Sequence, residues 1–148
     1  MSVVQMAQKL KSVHPDSVMM YKIGTFYHSY GKDAYIISGL FDYVLKPNGN
    51  VMSCGFGSNA INRVKSKLEE NKINYLLIDP RNNYYVEEES DNKNLNNYDE
   101  QLKKCYTLVK SKNQISKITE RLEMLIGKDD FKNIIRKLED VLDEVWKV

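Results

Sequence analysis

Cysteine, histidine and proline are scarce in this chain. Its 148 residues include two cysteines, two histidines and three prolines. Neither Cys54 nor Cys105 lies near a further cysteine or a histidine, so the sequence predicts no zinc site and no disulfide framework, and a reducing, cytoplasmic setting is expected. The first ten residues hold no long apolar run, and no stretch approaches the length of a membrane span. We therefore expect neither a secretory signal nor a membrane-crossing helix.

Groups that commonly carry out catalysis are equally sparse. The histidines, His14 and His28, are well separated, no pair of acids stands in an apolar setting, and no serine or cysteine neighbours a base. The sequence therefore predicts no catalytic residue, no metal site and no cofactor. We expect a protein that is not an enzyme.

Charge is nearly balanced, with a net value of +2, but it is unevenly distributed. Residues 1–86 carry ten Lys or Arg against six Asp or Glu, residues 87–100 carry one against six, and residues 101–148 carry eleven against eight. This pattern predicts a mildly basic domain, an acidic connector and a tail of mixed charge. So small a positive excess is weak evidence for nucleic-acid binding by itself.

Hydrophobic periodicity predicts an α+β domain over residues 1–88, with a small mixed sheet flanked by helices. Helices are expected over Val3–Val13, over Lys32–Phe41 and from Ser58 or Asn59 to Glu70. Strands are expected over Val18–Ile23, Ile73–Ile78 and Tyr84–Val86, and a hairpin joins 43–45 to 50–52 through the turn Lys46-Pro47-Asn48-Gly49. The glycine at position 24 ends the first strand and places Phe26 on a loop or at a strand end.

The rest of the chain predicts a linker and two helices. Residues 89–98 are acidic and rich in Asn, as in flexible linkers. Residues 99–148 carry two apolar stripes at steps of three and four, separated by Gly127, which predicts a C-terminal α-helical hairpin. Such a hairpin buries little alone, so it either packs on the first domain or pairs with a second copy. We favour a homodimer, because both stripes are wide.

A resemblance to a known family appears at residues 21–34, which read YKIGTFYHSYGKDA. They resemble the start of the mismatch-recognition domain of the MutS family, whose signature runs hydrophobic-Arg-hydrophobic-Gly-Asp-Phe-Tyr-Glu-x-Phe and continues to Asp-Ala. Residues 51–56 are similar to the family's short strand ending in Ala-Gly-hydrophobic-Pro, and the likeness covers about Pro15 to Asp79. The nucleotide-binding loop of full-length members, Gly-x-x-x-x-Gly-Lys-Ser/Thr, has no counterpart here, so no ATPase is expected.

The resemblance implies roles for two residues. Phe26 occupies the position of the phenylalanine that wedges into the minor groove and stacks on a mispaired base. His28 stands where the family has the glutamate that hydrogen-bonds that base, and Thr25 replaces its aspartate. Imidazole can donate or accept and carries no negative charge, so we expect looser specificity. The alternative interpretation treats Phe26 and Tyr27 as core aromatics and His28 as a surface residue.

Two functions from different classes follow. The first is a module that binds mismatched or distorted duplex DNA through Phe26. Its candidate phosphate contacts are the basic residues Lys22, Lys32, Arg63, Lys65 and Lys67. The second is a protein-interaction adaptor that keeps the fold without DNA binding and docks a larger partner, such as a nucleic-acid enzyme, through its C-terminal helices. A nuclease would have only fold-level analogy behind it.

Overall fold

The computed structural model describes residues 1–90 and 95–147. The chain divides into two compact units, Met1–Val109 and Lys110–Val148, and the division falls within one continuous helix. Within the described residues the strands are β1 (Ser17–Ile23), β2 (Phe26–Tyr30), β3 (Leu45–Asn48), β4 (Val51–Gly57), β5 (Asn74–Asp79) and β6 (Tyr85–Glu89). The helices are α1 (Val3–Lys11), α2 (Lys32–Phe41), α3 (Ile61–Glu70), α4 (Tyr98–Glu123) and α5 (Phe131–Trp146).

The strands form one mixed sheet in the order β3-β4-β2-β1-β5-β6. One neighbouring pair, β1 and β5, is parallel, and the other four neighbouring pairs are antiparallel. Both strands of the parallel pair are nearly continuous apolar runs, which suits strands covered on both faces. The edge strands differ in composition, because β3 contains Pro47 and β6 contains the run Glu87–Glu89. Proline is tolerated in an edge strand, where its missing N–H breaks no ladder bond.

Each face of the sheet carries its own core. Helices α2 and α3 cover one face, with buried side chains such as Tyr27, Phe56 and Leu77. Helix α1 covers part of the other, packing Ala7 against Met19 and Tyr21. Successive side chains of a strand point to opposite faces of the sheet, so alternate residues of each strand belong to different cores.

A buried carboxylate links four elements of the first unit. Oδ1 of Asp33 accepts hydrogen bonds from Nζ of Lys11 at 2.7 Å and from the hydroxyl of Tyr98 at 2.6 Å, while Oδ2 accepts from the backbone N–H of Met19 at 3.1 Å. The ammonium of Lys11 also lies 4.3 Å from the centre of the Tyr98 ring. Burial raises the pKa of Asp33, and these three partners oppose that shift. The network fixes the start of α4 to α1, α2 and β1.

The first part of α4 packs closely on α2. Its side chains Tyr98, Cys105 and Val109 are buried in the first unit. A Cβ atom added to Gly39 would lie 2.5 Å from Cβ of Cys105, so only glycine permits this approach of the two helices. The second unit contains the remainder of α4 and all of α5, in which no residue is buried.

Most sequence-based elements are confirmed. The fold class is α+β with a mixed sheet flanked by helices and followed by C-terminal helices, and α2 has the predicted bounds. The β3–β4 hairpin forms, but its turn is at Gly49-Asn50 instead of residues 46–49, since Asn48 pairs with Val51. Strand β2 was not among the predicted strands, although Phe26 was expected on a loop or at a strand end. Among the described residues no helix is both long and apolar enough to cross a membrane.

The predicted division into 1–88, 89–98 and 99–148 stays a prediction. Residues 91–94 of its acidic linker lie outside the described residues. Strand β6 extends to Glu89, and the compact first unit continues to Val109. Pairing of α4 with α5 as a hairpin also stays a prediction.

Candidate nucleic-acid interface

A tight turn sets the position of Phe26. Ile23 pairs with Phe26 across the antiparallel β1–β2 ladder, which leaves Gly24 and Thr25 as a two-residue loop. Gly24 has a φ of 63°, a value that favours glycine because it has no Cβ atom. Phe26 is therefore the first residue of β2 and stands at the end of a hairpin, with 50% of its surface exposed.

Alternation along β2 separates the neighbouring aromatic residues. Tyr27 is buried and stacks on Phe56 with ring centres 5.8 Å apart. Phe26 and His28 project from the opposite face of the sheet, with ring centres 6.3 Å apart and planes inclined at 43°. The structure thus places Tyr27 in the core and leaves Phe26 outside it.

Two glycines of β4 lie opposite these side chains. Gly57 pairs with Phe26, and Gly55 pairs with His28. A Cβ atom on Gly55 would lie 2.8 Å from Nδ1 of His28, so the imidazole occupies space that any larger residue would fill. The space above Gly57 is likewise occupied, because a Cβ atom there would lie 2.8 Å from Oδ1 of Asn59.

His28 lies at the rim of a shallow cavity of about 400 Å³. Its lining residues include Phe26, Tyr43, Lys46, Ser53 and Gly55. Partial burial lowers the pKa of His28, which favours the neutral imidazole at neutral pH. A neutral ring offers one donor and one acceptor to a ligand.

Lys46 and Ser53 were not singled out from the sequence. They pair across the β3–β4 hairpin and line the same cavity as His28. Strand pairing identifies them, because Tyr30 pairs with Ser53 and Ser53 pairs with Lys46, so all three share a sheet face with His28. To predict this from the sequence, β2 would have had to be placed beside β4.

The five predicted phosphate contacts are not gathered around Phe26. Lys22 pairs with Tyr27, so it lies on the other face of the sheet. Lys32 begins α2 and lines a separate cavity beside Lys11 and Asp33.

The other three basic residues lie on α3, which covers the face opposite Phe26. Nζ of Lys65 lies 3.0 Å from a carboxylate oxygen of Glu88. Nζ of Lys67 donates to the carbonyl of Leu40 at 2.8 Å. Arg63 donates to the hydroxyl of Tyr43, which links it to the rim of the cavity. Arg63 thus contacts a residue, Tyr43, that lines the cavity beside Phe26. The phosphate-contact roles of all five basic residues stay predictions.

A mixed sheet that holds an aromatic side chain out at the end of a hairpin, beside a shallow cavity, has the form of a binding module. The family model for MutS domain I matches residues 2–78, more than half of the chain. The chain therefore belongs to this family, and its matched residues form a MutS-like mismatch-recognition module. No curated protein matches it. The matched segment includes α1 to α3 and β1 to β4, and ends within β5.

Proposed function

We propose that this protein binds mismatched or otherwise distorted duplex DNA and inserts Phe26 at the weakened base step. The observation that carries the proposal is the half-exposed Phe26 ring, which is held at a hairpin end while its neighbour Tyr27 is buried. An apolar side chain so exposed has no role in either core of the sheet. It is available to stack on a base.

The selectivity of such a wedge comes from the DNA. Inserting a ring between base pairs costs a few kcal/mol of unstacking, and the cost is smallest where pairing is already weak. A mismatch therefore binds better than a regular duplex even without a base-specific contact. The protein contributes an aromatic ring presented at the end of the β1–β2 hairpin.

His28 then contacts the displaced base. In the family this position is a glutamate, whose negative charge is unfavourable near phosphates unless a base offers it a donor. A neutral imidazole avoids that penalty and can form a hydrogen bond with either a donor or an acceptor group of the base. We therefore expect His28 to bind a wider range of mismatches with less discrimination.

Lys46 is the first candidate for a phosphate contact on the sheet face that carries Phe26. It lines the same cavity as Phe26 and His28. Arg63 is the next candidate, because it contacts Tyr43 at the cavity. Lys65 and Lys67 would first have to leave Glu88 and the carbonyl of Leu40. Lys22 and Lys32 could contact phosphates only if the duplex extends past the edge of the sheet. Binding through these cations should weaken steeply as salt rises.

The test is binding of a labelled duplex with and without one mismatch, at low and moderate salt. Wild type should prefer the mismatch, and Phe26→Ala should lose that preference while keeping the salt-dependent background. Loss of one base–aromatic stack costs about 1–3 kcal/mol, or roughly a 5-fold to 150-fold change in affinity. Tyr85→Ala, which removes an exposed ring from β6, is the matched control and should retain the preference. No binding of either duplex at low salt would refute the proposal.

A second candidate is an adaptor that docks a larger partner, such as a nucleic-acid enzyme, through the C-terminal helices. The exposed apolar residues of α5 favour it, Val141, Leu142 and Val145 among them. Apolar docking should be insensitive to salt, which separates it from DNA binding. We also propose a cytoplasmic setting and self-association through the same helices.

A further inference from the structure

A cavity of about 380 Å³ lies between α1 and the end of β2, on the sheet face that α1 covers. Its apolar lining includes Ala7 from α1, Tyr21 from β1, Tyr30 from β2 and Val51 from β4. It shares no lining residue with the cavity beside Phe26. Its volume falls in the range of pockets that hold small organic ligands.

One residue in the wall of this cavity has a buried polar group without a partner. Tyr21 is 1% exposed, and among the described residues its hydroxyl is the buried side-chain oxygen that lacks a hydrogen bond. Burial raises the pKa of Tyr21, so the hydroxyl is protonated and can donate. Asp33 is the strongest of the charges that also raise this pKa and Tyr30 is the next, and both line the cavity, so the hydroxyl is directed toward it. A buried donor left unpaired costs free energy unless a ligand or water accepts its hydrogen bond.

Positive charge borders the same cavity. Lys11 and Lys32 both line it, and Asp33 is the one acid among its lining residues in the described chain. The carboxylate of Asp33 already accepts hydrogen bonds from Lys11, Tyr98 and the backbone N–H of Met19. Lys32 is exposed and forms no ion pair within the described residues, so its ammonium group is available to an anion.

The first turn of α2 adds backbone donors. Gly31, Lys32 and Asp33 line the cavity, and no side chain caps the first turn of this ten-residue helix. The first N–H groups of a helix have no partner within it, and the helix dipole gives that end a partial positive charge. Such a terminus, beside two ammonium groups and an unpaired hydroxyl, is suited to a phosphate.

We infer that this cavity is a binding site for a small organic phosphate with an apolar body. The phosphate accepts hydrogen bonds from the hydroxyl of Tyr21, from Lys32 and from the first turn of α2. The apolar body packs against Tyr30 and Val51. The site is separate from Phe26 and does not depend on DNA binding.

Phenyl phosphate is the probe, added to the full chain while backbone amide shifts are followed by NMR. The amides of Gln8, Gly31 and Lys32 at the cavity should shift, and those of Phe26 and His28 should not. Inorganic phosphate should bind more weakly, because it has no apolar body. Benzylamine, which places a positive charge on a similar ring, should cause no shift. The absence of shifts at millimolar phenyl phosphate would overturn the inference, as would equal binding of benzylamine or shifts confined to Phe26 and His28.

Tyr21→Phe separates ligand binding from stability. Since the hydroxyl has no protein partner, its removal should leave the free energy of unfolding in urea unchanged or higher. The affinity for phenyl phosphate should fall at least about tenfold, the effect of losing one hydrogen bond to a charged group. Lys32→Gln should weaken binding by about threefold, whereas Lys9→Gln, at an exposed lysine of α1 outside the cavity, should not. If Tyr21→Phe binds phenyl phosphate like wild type, the inference fails.

Nucleotide probes identify the source of the phosphate. A mononucleotide and an oligonucleotide with a terminal phosphate are each compared with the dephosphorylated form, using wild type and Tyr21→Phe. Binding of the mononucleotide would assign the site to free nucleotides, and binding of the phosphorylated oligonucleotide alone would assign it to the end of a strand. Phe26→Ala should bind phenyl phosphate like wild type, so failure of this site and failure of the DNA proposal are observed separately.

Discussion

Removing one hydroxyl from Tyr98 tests whether α4 is part of the recognition domain. Tyr98→Phe keeps the ring beneath the ammonium of Lys11 but deletes the donor that lies 2.6 Å from Oδ1 of Asp33. The carboxylate keeps Lys11 and the Met19 N–H as partners. The variant therefore removes one hydrogen bond and little else.

The expected loss of stability follows from the burial of Tyr98 and Asp33. Tyr98 is 2% exposed and Asp33 is 3% exposed, so water cannot replace the lost donor. Hydrogen bonds to charged groups contribute about 1.5–3 kcal/mol to stability. We expect the free energy of unfolding of Tyr98→Phe to fall by an amount in that range.

Urea unfolding followed by circular dichroism measures this free energy. Tyr85→Phe makes the same chemical change at a side chain that is 62% exposed, and it should alter stability by no more than about 0.5 kcal/mol. If the two variants are equally stable, the Asp33 network does not hold α4 on the domain. The inclusion of residues up to Val109 in that domain would then lose its main energetic support.

Three further outcomes are expected. Gly39→Ala should destabilise the chain by about 1–3 kcal/mol in urea unfolding, because the new methyl would overlap Cys105, whereas Ser116→Ala on exposed helix should be neutral. Gly55→Ala should also destabilise by about 1 kcal/mol or more, and much less in a His28→Ala background, because the clash is with the imidazole; additive effects would contradict this. Burial lowers the pKa of His28 below its unfolded value, so the unfolded state binds more protons and the stability from this group is lost as pH falls through about 6.5. His28→Gln should therefore lose less stability than wild type between pH 7 and pH 5, and parallel pH profiles would refute the argument.

Local patterns predicted the parts of the fold whose signals are local. Helix α2 was found with the right bounds, because its first turn follows a glycine and its apolar side chains recur at helical spacing. The position of Phe26 at a strand end also followed from a single local feature, the glycine two residues before it.

Strand β2 was harder to find from its sequence. Its residues read FYHSY, with aromatic side chains on both faces, so the alternation of apolar and polar residues that identifies a strand is absent. Burial shows the alternation instead, since Tyr27 and Ser29 are buried and their neighbours are not.

The buried network could not be predicted from local sequence. Asp33 looks like an ordinary acid in the first turn of a helix, where such residues are common. Its burial depends on Tyr98, which lies 65 residues further along the chain. Gly39 likewise gave no signal of its contact with Cys105, because the two residues lie far apart along the chain.

The composition of the two edge strands limits how the sheet can interact. An exposed strand edge is a template on which another chain can add by backbone hydrogen bonds, and this is a common route to aggregation. Here one edge contains Pro47, which lacks a donor, and the other bears three consecutive glutamates, which repel a second copy of themselves. Growth of the sheet into fibrils is thus disfavoured at both ends, so even concentrated solutions should stay clear of cross-β material.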